Sequence, residues 1–172
     1  MRSRSPAVRT PRCSFRLCLP RAAVALGSNL GDRQSSLEAA IRRIGALGDV
    51  LGVSSFVDTE PVGYLDQPRF LNAVLLLETK IPPLDLLRAL LGIELVMGRV
   101  RAGITAKGPR SVDLDLILYE DAVLETPELT LPHPAMHQRG FVLGPLAELA
   151  PEWRHPVIGR TMAELLVDLD SG

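Results

Sequence analysis

A chain of 172 residues with 47% apolar and 23% charged residues is long enough to bury one good core and too short to need two. Its first 21 residues hold six arginines (Arg2, Arg4, Arg9, Arg12, Arg16, Arg21) and no acid, so the remainder carries 13 basic against 20 acidic residues and is about seven units negative. An acidic body excludes wholesale binding to nucleic acid or to an anionic membrane. Any phosphate chemistry must therefore rest on a few local arginines or on metal ions.

Both cysteines, Cys13 and Cys18, fall in the basic leader, so the body cannot form an internal disulfide, and a reducing, cytoplasmic setting is expected. The apolar stretch around Leu17 to Leu26 is interrupted by Pro20 and Arg21. That makes it too short to span a bilayer and a poor signal-peptide core. Three readings of the leader stay open: a disordered tail, a start codon placed too early, or a Ser/Arg-rich transit peptide. The expected organisation is a basic, disordered extension over 1–21 followed by one domain over 22–172.

Along the chain, Ala22-Ala23-Val24-Ala25-Leu26 reads as a short buried strand that ends in the turn signal Gly27-Ser28-Asn29-Leu30-Gly31-Asp32. Leu37, Ala40, Ile41, Ile44 and Leu47 then recur at helical spacing, with Asp32 as N-cap and Gly45 and Gly48 near the stop. Two β-type runs follow, Val50 to Val57 and Phe70 to Thr79, joined by a Pro/Gly-rich loop over 60–68. Pro82 and Pro83 suit a first helical turn, Leu84, Leu87, Leu91, Glu94 and Leu95 mark a second helix, and Gly98 closes it. Ser111 to Tyr119 is the next strand. Strand, helix, strand, strand, helix, strand is the order of a ferredoxin-like βαββαβ sandwich, an α+β fold. Beyond it, Val123-Leu124 and Leu129-Thr130-Leu131 predict a small hairpin, Gly144 to Leu149 a short helix, and Thr161 to Leu169 a terminal one.

Chemistry concentrates in Gly108-Pro109-Arg110-Ser111-Val112-Asp113-Leu114-Asp115. On a strand, Asp113 and Asp115 share one face while Leu114, Leu116 and Leu118 take the other, facing the core. Like charges roughly 7 Å apart on a half-buried surface are unfavourable unless a cation sits between them. Magnesium ions carrying phosphate oxygens would satisfy both. An Asp-x-Asp alone is more often a pair of solvated acids on an edge strand. Arg99, Arg101, Arg110, His133 and Arg139 raise the odds, because guanidinium forks match phosphate oxygens. The stretch over 102–107 between Arg101 and Gly108 lacks periodicity and reads as a lid.

These residues resemble the 6-hydroxymethyl-7,8-dihydropterin pyrophosphokinases. Besides the single segment Gly108-Pro109-Arg110 running into Asp113-Leu114-Asp115, the likeness takes in Leu26-Gly27-Ser28-Asn29-Leu30-Gly31, Glu60-Pro61-Val62-Gly63, Asp66-Gln67-Pro68-Arg69-Phe70-Leu71-Asn72, Pro132-His133-Pro134 and Arg139-Gly140-Phe141. Six ordered segments at compatible spacing are a specific signal, where one glycine turn would not be. The resemblance implies magnesium-dependent transfer of diphosphate from ATP to the pterin alcohol, in folate biosynthesis, by a monomer. It implies two magnesium ions on Asp113 and Asp115, and phosphate or lid contacts from Arg99, Arg101, Arg110, His133 and Arg139. Glu94 falls near the nucleotide. Thr59, Pro61, Val62 and Asn72 would read the pterin edge, with Phe70 and Phe141 sandwiching its ring. Three positions depart from the usual pattern: Lys107 where an aromatic residue is frequent, Leu91 where a polar one is, and Phe70 in place of tyrosine.

Two other classes compete. A ferredoxin-like RNA-binding module would carry stacking aromatics on its central strands, whereas this chain is 4% aromatic. A non-catalytic small-ligand regulatory module is separated from the enzyme only by turnover. His137 and His155 are expected at the surface or in loops, Trp153 in a satellite core, and Met97, Met136 and Met162 in packing.

Overall fold

Ala22, Ala23 and Val24 are completely shielded from solvent, because the first strand, β1 (Arg21–Ser28), lies inside a sheet covered on both faces. The structure, a computed structural model, describes residues 18–98 and 111–172. Arg99, Arg101, Arg110 and the predicted lid over 102–107 lie outside the described residues, as does most of the leader. Helix α1 (Arg33–Ile44) starts where expected, since the Asp32 carboxylate accepts from the Ser35 amide at 3.0 Å, and it stops at Gly45. The chain then turns back through Gly48. A Cβ there would stand 2.2 Å from the Glu78 carbonyl oxygen, and that oxygen belongs to backbone that cannot swing away. Gly48→Ala is expected to cost about 1–3 kcal/mol, read as a lowered urea midpoint at unchanged slope.

The run expected as one strand over Val50 to Val57 is two strands, β2 (Asp49–Val53) and β3 (Val57–Thr59). Ser54 explains the break. Its amide donates to the Val74 carbonyl at 2.9 Å and its hydroxyl accepts from the Val74 amide at 2.9 Å, so one residue takes both backbone groups of its partner and bends the chain. Strand β4 (Phe70–Glu78) pairs with β1, β2 and β3. Helix α2 (Pro83–Val96) opens on its proline. It buries Leu86, Leu90 and Glu94; of the Leu84, Leu87, Leu91, Glu94 and Leu95 pattern that the spacing suggests, Glu94 lies inward, Leu84 and Leu87 pack half-buried against the core, and Leu95 faces out.

Strand β5 (Asp113–Tyr119) completes the sheet, whose order is β2-β4-β1-β5 with every pairing antiparallel. Strands β1 and β2 run parallel with β4 inserted between them, so α1 crosses the sheet rather than closing a hairpin. The α1/α2 face carries Leu26, Leu37, Leu75, Leu90, Leu114 and Leu116, and the opposite face carries Val74, Ile117, Leu118, Leu143 and Met162. A bulge opposite Ala23 and Val24 places Ile117 and Leu118 together on that second face. Leu118 therefore packs on the aspartate side of β5, not with Leu114 and Leu116 as strict alternation predicts.

The second face is covered by α3 (Gly140–Leu149) and α4 (Met162–Ser171), reached through a short hairpin of β6 (Leu124–Glu125) and β7 (Thr130–Leu131). Helix α3 starts four residues earlier than Gly144. Pro145 sits inside it, costing one hydrogen bond without ending a helix whose Val142, Leu143 and Leu146 are buried. Thr161 and Glu164 form a reciprocal cap that starts α4. Trp153 is buried as expected, and Arg21 stacks 4.6 Å above its ring. His155 lies in a loop, as one of the two expected placements has it, but it is buried rather than at the surface, because its ring nitrogen accepts from the amides of Val157 and Ile158. Among the described residues no helix is long and apolar enough to cross a membrane.

Candidate active site

Helices α3 and α4 cover only one end of the sheet's second face. At the other end, the N-terminus of α3 and the loop after β3 rise on either side of bare strand surface, leaving an open cleft of about 770 Å³, its mouth included. Its floor is Gly27, paired with Asn72 on one side and Asp113 on the other. A Cβ on Gly27 would lie 3.1 Å from Asn72 Oδ1 and 3.6 Å from the Phe70 ring, so the absent side chain is what opens the space. Asn72 is buried, and its amide nitrogen donates to Thr59 Oγ1 at 2.6 Å. That bond fixes which way the carboxamide turns. Phe70 and Phe141 also line the cleft, one from the sheet and one from α3. The loop after β3 is tied back by Asn29, whose amide donates to Gln67 Oε1 at 2.9 Å and to the Pro68 carbonyl at 3.1 Å.

Asp113 and Asp115 line the same cleft as Arg139. Their strand is at the sheet edge, so the amide of Leu114, between them, has no strand to donate to. The Glu94 carboxylate accepts it at 2.8 Å from a position only 1% exposed. One buried acid on α2 thus holds the backbone that presents two acids to the cleft. The Ser111 hydroxyl donates to the Met97 carbonyl at 3.1 Å, so the two described ends that flank residues 99–110 meet beside this strand. Among the described residues no three His, Cys, Asp or Glu side chains converge into a metal cluster. Two carboxylates on one strand face are the oxygen donors the protein brings, a set that suits a hard divalent cation completing its shell with phosphate oxygens and water.

His133 approaches from the segment after β7. Its Nδ1 accepts from the Ala135 amide at 3.2 Å, which leaves the proton on Nε2 when the ring is neutral. Burial pushes its pKa below the ordinary 6.5, Arg139 pushes the same way, and Asp113 opposes both. Burial lowers His155 likewise, helped by His137. Both rings are held neutral in the fold, so the stability they contribute is fully present above about pH 6.5 and is lost as pH falls through their depressed folded values, where the unfolded chain binds more protons. The urea midpoint is expected to be level from pH 8 to 7 and lower at pH 5.5; a level midpoint down to pH 5.5 would contradict the assignment.

Of the residues singled out from sequence, Thr59, Val62, Phe70, Asn72, Asp113, Asp115, Arg139 and Phe141 all line this cleft. Pro61 is buried beside it and Glu94 lies behind the strand. Gly27, Ala25 and Val142 also line it. Gly27 belongs to the Leu26–Gly31 segment, but only the strand pairing shows that its missing side chain makes room.

A family model described as "7,8-dihydro-6-hydroxymethylpterin-pyrophosphokinase (HPPK)" matches residues 23–151. The chain is 45% identical over 150 residues to the 2-amino-4-hydroxy-6-hydroxymethyldihydropteridine pyrophosphokinase of Pseudomonas aeruginosa, covering 86% of this chain and 91% of that one. It is 43% identical over 150 residues to the folic acid synthesis protein fol1 of Schizosaccharomyces pombe, again over 86% of this chain but only 20% of that longer protein. Among solved structures, wild-type Plasmodium falciparum HPPK-DHPS superposes with a TM-score of 0.72 at 16% identity, over 89% of this chain and 45% of that one. At that identity the likeness speaks for the fold alone. The chain belongs to the 7,8-dihydro-6-hydroxymethylpterin-pyrophosphokinase family. It is accordingly an enzyme of the pyrophosphokinase class, a transferase of pterin and folate chemistry.

Proposed function

We propose that the protein transfers the terminal diphosphate of ATP to the hydroxymethyl oxygen of 6-hydroxymethyl-7,8-dihydropterin, releasing AMP. One observation carries this reading: a single cleft sets Asp113, Asp115 and Arg139 against two phenylalanine rings and an oriented carboxamide. A flat polar heterocycle needs two apolar faces and a few in-plane partners. A triphosphate needs cations and guanidinium groups. Relatives named for this pterin activity, 45% and 40% identical, support the assignment.

In this reading Phe70 and Phe141 sandwich the ring, while Asn72, Thr59 and the backbone of Pro61 and Val62 meet its edge. The hydroxymethyl oxygen then lies towards the acids and attacks the β-phosphorus in line. The O–P bond forms as the bond to the α-phosphate oxygen breaks, and AMP leaves with that electron pair. Asp113 and Asp115 hold two magnesium ions, which supply neutralising charge on the phosphate oxygens. Arg139, His133, Arg99, Arg101 and Arg110 share the remaining charge, Glu94 holds the β5 backbone beside the nucleotide, and Asp113 or Asp115 takes the hydroxyl proton. Positioning and charge neutralisation account for most of the rate, because a loose phosphoryl-transfer transition state asks little covalent help.

The strand order β2-β4-β1-β5 supports a ferredoxin-like sandwich extended by a hairpin and two C-terminal helices. The domain is taken to begin near Ala22 behind a basic extension, and to act in the cytoplasm as a monomer on these two small molecules, without nucleic-acid or membrane partners. The test is an assay with ATP, magnesium and the pterin alcohol: AMP is expected in proportion to pterin diphosphate, dependent on magnesium. Pterin-independent release, or none, would reject the reading.

A further inference from the structure

Strand β3 is only three residues long, yet it carries Thr59 and leads into Glu60 and Val62, which form one wall of the cleft. Its ladder to β4 ends at Thr59 opposite Phe70. The next residues outward, Glu60 and Arg69, therefore stand at the mouth of the loop over 61–68. Three ladder pairs hold a strand weakly by themselves. Four charged side chains gather at this point. The Arg69 guanidinium pairs with the carboxylates of both Asp58 and Glu60, and its Nη2 also donates to the Asp58 carbonyl at 3.4 Å. Arg33, the first residue of α1, pairs with Asp58 at 2.9 Å and donates to the Arg69 carbonyl at 3.0 Å.

The network joins the two limbs of the loop at its base and fastens both to α1. The Asp58 carboxyl is held below its ordinary value by Arg69 first and Arg33 second, and Arg69 is held above its own by Asp58. None of Arg33, Asp58 and Arg69 lines the cleft. Beyond the base, the loop carries Val62, Tyr64 and Leu65 exposed, Leu65 at 72%. Of these, Val62 lines the cleft and gains most when a flat ligand fills it.

We propose that Arg69 is a positioning residue, clamping the base of the 61–68 loop through Asp58, Glu60 and Arg33 so that Thr59 and Val62 are set before the pterin arrives. This rests on the substrate reading above for its consequence, though not for the clamp itself. A preset wall spares the ligand the ordering of the loop. Losing the clamp should therefore weaken pterin binding more than it slows the bound complex.

The test is a double-mutant cycle of Arg69→Ala, Asp58→Ala and the pair, with Arg69→Lys as the conservative variant, in the full chain. Isolated surface pairs contribute little, but a shared network is non-additive, so each single change is expected to raise KM for pterin roughly fivefold with a smaller change in kcat, and the double no more than the worse single. Arg69→Lys, a point charge without the fork, should recover only part. Amide exchange of residues 61–68 in the free protein, followed by mass spectrometry, should speed up in both single variants. Unchanged exchange in Arg69→Ala overturns the clamp whatever the substrate is. Faster exchange with no pterin binding by the wild-type protein would uphold the clamp and sink the substrate reading. Additive effects in the cycle would reduce the network to independent surface charges and overturn the proposal.

Discussion

Asp115→Ala is expected to lower magnesium-dependent AMP formation by about a thousandfold or more, the several kcal/mol that neutralising charge on a transferring phosphoryl group supplies. The fold should survive. Asp115 faces the cleft, while its neighbours Leu114 and Leu116 fill the α1/α2 core at 2% exposure. Thermal unfolding should remain cooperative, and pterin affinity measured without nucleotide should be close to normal. Asp115→Asn keeps the shape and loses the charge, so it should fail nearly as badly. Turnover within threefold of wild type in either variant would remove the acid pair from the chemistry.

Gly27→Val should abolish pterin binding and leave the protein folded. The strand itself gains, since valine is a better β residue than glycine. The cleft loses its floor: even a lone Cβ would sit 3.1 Å from Asn72 Oδ1 and 3.6 Å from Phe70, and two further methyl groups have only the cleft to enter. Asn72 cannot yield freely, because its amide is committed to Thr59 at 2.6 Å. Pterin affinity is expected to fall at least about a hundredfold, the scale of steric exclusion from a fitted pocket. Nucleotide binding should change far less. Gly27→Ala should give the same direction at smaller size, with calorimetry on pterin alone as the measurement. Unchanged pterin affinity in Gly27→Val would place the heterocycle elsewhere.

Much of the fold was legible because local signals agreed with burial. The Asp32 cap, Pro83 at the start of α2, Gly98 after its end and the Thr161 start of α4 are each decided by backbone groups within a few residues. The failures share a cause. The division of β2 from β3 depends on Ser54 meeting Val74, twenty residues away. The outward turn of Leu95, which the spacing grouped with Glu94, is settled only by the sheet that α2 packs against. Leu118 changes faces at a bulge that only pairing with β1 reveals. His155 is buried because its ring replaces water for two loop amides, which composition cannot show.

By itself, the sequence determined the order and type of the elements apart from the division of β2 from β3, the Asp113 and Asp115 pair on one strand face, and the segments that mark the family. These follow from side-chain period, turn chemistry and motif, all of which act over short range. Only the tertiary structure decided that both faces of the sheet are covered, that α3 stops short of the Gly27 end, and that the acids, the carboxamide and the two phenylalanine rings share one opening. Those outcomes arise where strands distant in the chain become neighbours and where a missing side chain matters only for what stands opposite it.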